Sequence, residues 1–375
     1  MGLLTGALPD FPWDTLVPYA ERARAHPEGI LDLSVGTPVD PTPAPVREAR
    51  AAAADSPGYP TTHGTPALRA AVVDWFARRR GVPGLDPEAV LPTLGSKELV
   101  AWLPSLLGLG AGQVVVHPEA AYPTYDVGAR LAGATALPAD DVAVWSERTD
   151  VRLVWVNSPG NPTGRVLDVE RLRTVVRAAR RIGAVVASDE CYALLAWDEP
   201  WATDGVPSVL DPRVCEGDHT GLLAVHSLSK QSNLAGYRAS FVAGDPTLVK
   251  QLLEVRKHAG MMVPAPVQAA TAAALADDAH VDAQRARYGR RRRVLLEALE
   301  AAGLEVDASP AGLYLWVRAP GAGQDCWQTV SDLADLGILV APGSFYGPAG
   351  ARHVRVALTA TDEVIARAAA RLTGA

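Results

Sequence analysis

Through the middle of the chain, short apolar runs rich in β-branched residues alternate with segments whose apolar positions recur at helical spacing. The runs are Val114-Val115-Val116, Arg152 to Val156, Ala184 to Ala187, Leu222 to Val225 and Ala239 to Ala243, and Val169 to Ile182 predicts a helix between two of them. Runs without polar alternation predict strands buried on both faces, and the strand–helix alternation predicts βαβ units around a mainly parallel sheet. Beyond Pro264 the pattern changes. An Ala- and Arg-rich helical stretch reaches about Gly303, and Gly312 to Val317, Gly337 to Val340 and His353 to Ala357 then form short runs separated by helices. The reading is α/β: a large domain over 41–264, then an interdomain helix and a smaller α+β domain over 265–375. Residues 1–40 carry prolines at 9, 12, 18, 27 and 38, and are expected to form an arm or small-domain segment that crosses between domains or onto a partner subunit. No internal repeat is visible.

Length and composition narrow this picture without redirecting it. At 375 residues the chain exceeds the size at which a single core usually stops growing, which agrees with two domains. Hydrophobic residues at 48% and charged residues at 21% match an ordinary globular protein. A net charge of -7 argues against a nucleic-acid surface, and the basic run from Arg285 to Arg293 reads as a solvated helix face. Cys191, Cys215 and Cys326 are odd in number and lack metal-ligand spacing, which fits a reducing compartment. Met1 to Asp14 has no basic region followed by an apolar run, and no stretch reaches the roughly 18 apolar residues of a membrane span. A cytoplasmic enzyme without membrane or nucleic-acid partners is the expectation.

Ligands of such sheets collect at the carboxyl ends of the strands, and that is where the unusual polar residues fall. Lys230 ends the run Ala224-Val225-His226-Ser227-Leu228-Ser229-Lys230, and Arg238 follows eight residues later. Lysine is not filler here, because only four of the 35 basic residues are lysines. An amine can form a Schiff base with an aldehyde, while nearby hydroxyls and a guanidinium can take phosphate oxygens. That set points to pyridoxal 5'-phosphate. Asn157 to Gly164 closes the strand ending at Val156, and Ser188-Asp189-Glu190-Cys191-Tyr192 closes the next. Asp189 is the candidate partner of a pyridine nitrogen, which needs a carboxylate to stay protonated. Asn161 and Tyr192 can donate to a ring oxygen. Leu94-Gly95-Ser96-Lys97 opens a helix whose free N–H groups can bind an anion, and Tyr122 can lie against a ring. Alone, Asn161 to Gly164 is a good turn and Asp189-Glu190 a helix cap. Clustered at consecutive strand ends, they point to one site.

The series Asn-Pro-x-Gly, Ser-Asp-Glu-x-Tyr and Ser-x-Ser-Lys, with Arg238 and the late Arg355, resembles the class I/II aminotransferases of the aspartate aminotransferase fold from about residue 30 to the end. Within them, the segments Phe11 to Leu16, Asp32 to Pro41, Lys257 to Pro266 and Ala341-Pro342-Gly343 are similar to actinobacterial succinyldiaminopimelate aminotransferases of lysine biosynthesis. The resemblance implies a seven-stranded type of large sheet and a homodimer with shared active sites. It also implies that Lys230 bonds the cofactor aldehyde, Asp189 meets the ring nitrogen, Asn161 and Tyr192 meet the ring oxygen, and Tyr122 stacks on the ring. Ser96, the Lys97 backbone, Ser227, Ser229 and Arg238 would hold the phosphate, joined by Tyr59 of the neighbouring subunit. Arg355 would clamp the substrate α-carboxylate near the Gly36 backbone, with Asn161 alongside. One position departs from the family pattern: Arg238-Ala239-Ser240 has serine where Arg-x-Gly is usual.

The implied reaction passes an amino group between L-glutamate/2-oxoglutarate and N-succinyl-2-amino-6-oxopimelate/N-succinyl-LL-2,6-diaminopimelate. The same parts would also serve another amino-acid aminotransferase or a carbon–sulfur β-lyase, since spacing does not show which substrate bond stands perpendicular to the ring. A regulator on a non-catalytic aminotransferase body would need a basic DNA-binding module, and the prolines and acidic residues before Arg22 do not supply one. Recognition of the distal end of the substrate is not legible. Arg256, Lys257 and His258 are cationic candidates, but they better suit the C-terminus of a helix starting near Pro246.

Overall fold

The computed structural model describes residues 8–9, 12–321 and 323–374. Residues 1–7, Asp10 and Phe11 of the N-terminal segment therefore lie outside the described residues. In chain order the strands are β1 (Leu31–Asp32), β2 (Val90–Leu94), β3 (Val114–His117), β4 (Thr135–Pro138), β5 (Val151–Asn157), β6 (Val185–Asp189), β7 (Leu222–Ser227), β8 (Ala239–Gly244), β9 (Glu305–Asp307), β10 (Tyr314–Arg318), β11 (Ile338–Leu339), β12 (Ala341–Pro342) and β13 (His353–Ala357).

Seven of them form the large sheet in the order β2-β8-β7-β6-β5-β3-β4. β4, β3, β5, β6 and β7 pair in parallel, while β8 is antiparallel to β7 and to β2. Successive side chains enter different cores, as the two-residue strand period requires: Val154 and Val156 pack on one face, Leu153 and Trp155 on the other. Both faces are covered by helices, including Val169–Ile182 as expected, and this is why the strands read as unbroken apolar runs. β5 and β6 run further than those runs, into Asn157 and Asp189, which are register partners. The two polar strand ends are therefore level. β2, β4, β9 and the two-residue strands β1 and β12 escaped the sequence reading because they are short or interrupted by proline.

The smaller unit has an antiparallel sheet in the order β12-β13-β10-β9 and a parallel pair β1-β11. Its core gathers Leu16, Ala20, Leu31 and Leu33 with Leu315, Val330 and Val356. Four of the described N-terminal residues thus share one core with the C-terminal strands and helices. Pro18 sits in the first turn of the helix Val17–Arg24, where a missing N–H costs nothing, so the prolines conceal a short helix. Tyr19 stacks on Trp327 at 5.3 Å and Arg22 pairs with Asp335. The long helical stretch after Pro264 is two helices, Ala265–Ala276 and Asp278–Ala301, divided at Asp277, whose carboxylate caps the second at Ala279 N. Among the described residues no helix is long and apolar enough to cross a membrane.

Candidate active site

β7 ends at Ser227, not at Lys230. The Ser227 hydroxyl accepts from Ser229 N at 3.2 Å and donates to Ser229 Oγ at 2.8 Å, capping the one-turn helix Leu228–Gln231. Lys230 therefore stands one turn beyond the strand, with its Nζ donating to the Gly36 carbonyl. A side chain at position 36 would collide with Tyr314, so glycine lets this loop pass between the lysine and the tyrosine. Burial lowers the Lys230 pKa, and the positive charges of Arg355 and Arg238 push in the same direction.

At the neighbouring strand end, the carboxylate of Asp189 is buried. Oδ2 accepts from Tyr125 Oη at 2.9 Å and Oδ1 from Cys191 N at 3.2 Å. Burial nevertheless raises its pKa, outweighing these hydrogen bonds, so a cation brought against it would be stabilised. Tyr125 is fixed by Trp155, with ring centroids 5.1 Å apart, and burial keeps its phenol protonated. Tyr122 meets Tyr125 edge-on at 6.2 Å, and Lys97 Nζ lies 5.9 Å from the Tyr122 ring centroid. The adjacent Glu190 has a different task. Its own desolvation is overcome by Arg80 and His226, so its pKa falls to about 2. It binds Arg80 at 2.8 Å, His226 at 3.1 Å, Ser208 Oγ at 3.0 Å and Val209 N at 2.8 Å. Glu190 thereby ties the strand end to the loop behind it.

A helix start able to receive an anion lies at Ser96–Leu106. Gly95, at φ 87°, precedes it, and a Cβ there would occupy the position of the Arg238 guanidinium. Arg238 takes the left-handed conformation at φ 56°, and its Nη1 donates to Ala235 O at 2.8 Å. Glu98 binds back to Leu94 N at 3.2 Å and receives both terminal nitrogens of the fully buried Arg256, at 2.8 and 3.1 Å. Arg256 is thus committed to bracing this helix. Lys257 pairs with Glu254 at 2.7 Å, and His258 is exposed at the helix end. The unusual Ser240 is accommodated by hydrogen bonds to Thr93 Oγ1 at 2.6 Å and Thr93 O at 3.1 Å, which join β8 to β2.

Arg355 projects from β13 and is 3% exposed. Its Nη1 donates to Asn161 Oδ1 at 3.1 Å and its Nη2 to Ser34 O at 2.7 Å. Asn161 is anchored through its own N–H to Asn157 Oδ1 at 2.8 Å, which leaves its amide nitrogen as a donor. The turn after Asn161 needs Gly164, at φ 68°, because a Cβ there would strike the Ala311 carbonyl. The guanidinium carbon lies 3.9 Å from the Tyr314 ring centroid and 4.9 Å from that of Tyr346. Tyr314 Oη is 3.3 Å from Tyr192 Oη. Burial alone would raise the Tyr314 phenol, but Arg355 and Lys230 outweigh it and hold its pKa below the usual value.

Lys230, Gly36, Tyr192, Asn161 and Arg355 are therefore linked through Tyr314 and the guanidinium. Tyr59 stands apart at 96% exposed. Tyr125, Tyr314 and the Ser34 carbonyl were not foreseen. A signal for Tyr314 existed, since alternation in Gly312 to Val317 puts it on the same face as Trp316, the register partner of Arg355.

The model of the aminotransferase class I and II family matches residues 28–372. The chain is 60% identical over 373 residues to the probable aminotransferase Rv1178 of Mycobacterium tuberculosis, covering 99% of this chain and 87% of that one. It is 59% identical to the 4-dedimethylamino-4-oxo-anhydrotetracycline transaminase OxyQ of Streptomyces rimosus, over 98% of this chain and 99% of that one. A solved structure from Thermus thermophilus, described as a probable N-succinyldiaminopimelate aminotransferase, superimposes with a TM-score of 0.86 at 29% identity, covering 96% of this chain and 99% of that one. With a lysine one turn beyond a strand end, a buried aspartate and the buried arginine of β13 in one fold, the chain belongs to the class I and II aminotransferases, a family that depends on pyridoxal phosphate.

Proposed function

We propose that this aminotransferase moves the amino group of L-glutamate to N-succinyl-2-amino-6-oxopimelate, giving 2-oxoglutarate and N-succinyl-LL-2,6-diaminopimelate. The observation that carries the site assignment is the convergence, around Tyr314, of an amine of lowered pKa and a guanidinium with unused hydrogen-bonding capacity. The residues fit the cofactor. Gly95 makes room for Arg238 beside a helix start, and the buried, proton-seeking Asp189 suits a protonated ring nitrogen.

Pyridoxal phosphate, when bound, supplies an aldehyde that accepts the amino group and a ring that takes up electrons from the substrate α-carbon. The remaining work belongs to the chain. Lys230 Nζ would hold the aldehyde between turnovers and give way to the donor's amine, and the freed lysine amine would take the proton from the donor's α-carbon and, in the second half of the cycle, supply one to the α-carbon of the acceptor. Asp189 keeps the ring nitrogen protonated, Asn161 and Tyr192 donate to the ring oxygen, and Tyr122 packs on the ring. Ser96, the Lys97 backbone, Ser227, Ser229 and Arg238 hold the phosphate. Arg355 clamps the α-carboxylate near Gly36, and this grip favours transamination over loss of carbon dioxide. The division of labour follows the domains, with 41–264 carrying the cofactor and 265–375 presenting Arg355.

Tyr59 fits a homodimer, because an aromatic residue 96% exposed suits cover by a second copy, whose phosphate it would reach. Tyr59→Phe is then expected to lower cofactor retention about tenfold, the effect of losing one hydrogen bond to a charged group, as measured by dialysis and release of bound cofactor. Unchanged retention would remove Tyr59 from the site.

The choice of acceptor rests on the N-terminal and Lys257 to Pro266 motifs and on the described activity of the Thermus relative. A second acceptor class comes from OxyQ, whose name specifies an oxo-anhydrotetracycline. Formation of 2-oxoglutarate from glutamate, measured with each acceptor in turn, separates the two. The succinylated keto acid is expected to be preferred in kcat/KM by at least about tenfold, a difference of roughly 1.4 kcal/mol. Preference for the tetracycline ketone would overturn this choice of acceptor and leave the aminotransferase assignment standing.

A further inference from the structure

Two buried donors beside the Arg355 clamp have no hydrogen-bond partner among the described residues: Arg355 Nε and Tyr346 Oη. Tyr346 is 2% exposed, and its ring lies under the guanidinium, whose carbon is 4.9 Å from the ring centroid. A buried hydroxyl left unpaired costs about 1–3 kcal/mol, whereas phenylalanine would fill nearly the same volume without that cost.

The hydroxyl is not free to swing toward another partner. Tyr346 closes the 3-10 turn Gly343–Tyr346 that follows β12, and β12 itself pairs with β13 at Arg355. Its carbonyl accepts from Ala121 N at 2.8 Å, pinning the turn to the loop that carries Tyr122. On either side the backbone is fixed by close approach. A Cβ at Gly343 would meet the carbonyls of Gly350 and His353, and one at Gly347, where φ is 108°, would lie 2.6 Å from the Glu119 carbonyl. Trp316 meets the ring edge-on at 6.0 Å. Burial raises the phenol pKa, so the group remains a neutral donor at all ordinary pH values.

We propose that Tyr346 is a further substrate-binding residue, its hydroxyl donating to the same carboxylate that Arg355 grips. The inference rests on the assignment of Arg355 as the carboxylate clamp and adds a third donor to a two-pronged site. An acceptor rich in oxygen satisfies both orphan donors at once, and a carboxylate is such a group.

Tyr346→Phe in the holoenzyme tests it, with Arg355→Lys measured in parallel. The expected result is a rise of about tenfold in KM for both glutamate and the keto acid, with kcat within about twofold, as suits loss of one hydrogen bond to a charged group. The Kd of maleate, an unreactive dicarboxylate, followed by calorimetry, should rise by the same factor. Melting temperature should be unchanged or higher, since an unpaired hydroxyl is removed; a merely structural tyrosine would lower it and leave maleate binding alone. Unchanged KM and maleate Kd in Tyr346→Phe, with both weakened in Arg355→Lys, would overturn the role of Tyr346 alone. If Arg355→Lys also binds maleate normally, the clamp itself fails and the inference falls with it.

Discussion

Turnover is expected to fall by roughly 10,000-fold in Lys230→Ala, the upper range for loss of a positioned proton carrier, and the visible absorbance of lysine-bound cofactor should disappear. The expectation follows from how the amine is set. Its pKa is lowered chiefly by burial, so a larger share of it is the nucleophilic free base, and the Gly36 carbonyl to which it donates can accept a hydrogen bond but cannot replace the amine. The turn beneath does not depend on the side chain, because Ser227 caps it and Tyr288 Oη donates to the Lys230 carbonyl at 3.4 Å. The variant should therefore fold, with unchanged circular dichroism, and should still take up cofactor through the residues around Gly95 and Arg238. Lys230→Arg should fail equally, since a guanidinium keeps its charge and is not a nucleophile at neutral pH. A rate within tenfold of the native protein in either variant would refute the role of Lys230.

Asp189→Asn is expected to retain cofactor and lose about 10²–10³-fold in kcat, the scale of one preorganised electrostatic contact. The substitution keeps the shape and removes the charge. Cys191 N can still donate to the remaining carbonyl oxygen in the place of Oδ1, and the Tyr125 hydroxyl can turn to accept from the amide nitrogen that takes the place of Oδ2, so the local packing has no reason to collapse. What is lost is the anion proposed to hold a proton on the ring nitrogen. The defect should therefore lie in kcat, with cofactor affinity falling much less. Wild-type rates would remove Asp189 from the ring nitrogen, and loss of cofactor without loss of rate on reloading would make it a binding residue only.

Much of the fold was legible because the central strands are buried on both faces, which writes them into the chain as continuous apolar runs. The site was legible for a related reason. Strands that deliver chemistry end in polar residues, so Asn157, Asp189 and Ser227 mark the sheet edge, and Lys230, Asn161 and Tyr192 follow within a few positions of it. Contacts made across long separations were hidden. Tyr125 reaches Asp189 over 64 residues and Arg256 reaches Glu98 over 158, and nothing local distinguishes either from an ordinary helix residue. Arg256 therefore read as a helix-end cation, with substrate contact as the alternative, and its place as a buried brace to Glu98 was not visible. The N-terminal segment left an arm and a small-domain segment both open, since prolines that suggest an extended arm also fit the first turn of a helix, and the packing of Leu16 and Leu31 with Leu315 and Val356 lies outside any local signal.

The central claim is that one site takes the amino group from a donor and holds it for a second substrate. Absorbance of the purified, cofactor-loaded protein titrated with L-glutamate, with no keto acid present, tests it most directly. Conversion of the visible band to that of the aminated cofactor, with one equivalent of 2-oxoglutarate released per site and reversal on adding a keto acid, is the predicted result. A band that persists through saturating glutamate and every other amino donor, or that decays only with release of pyruvate or a thiol from other amino acids, would contradict the account.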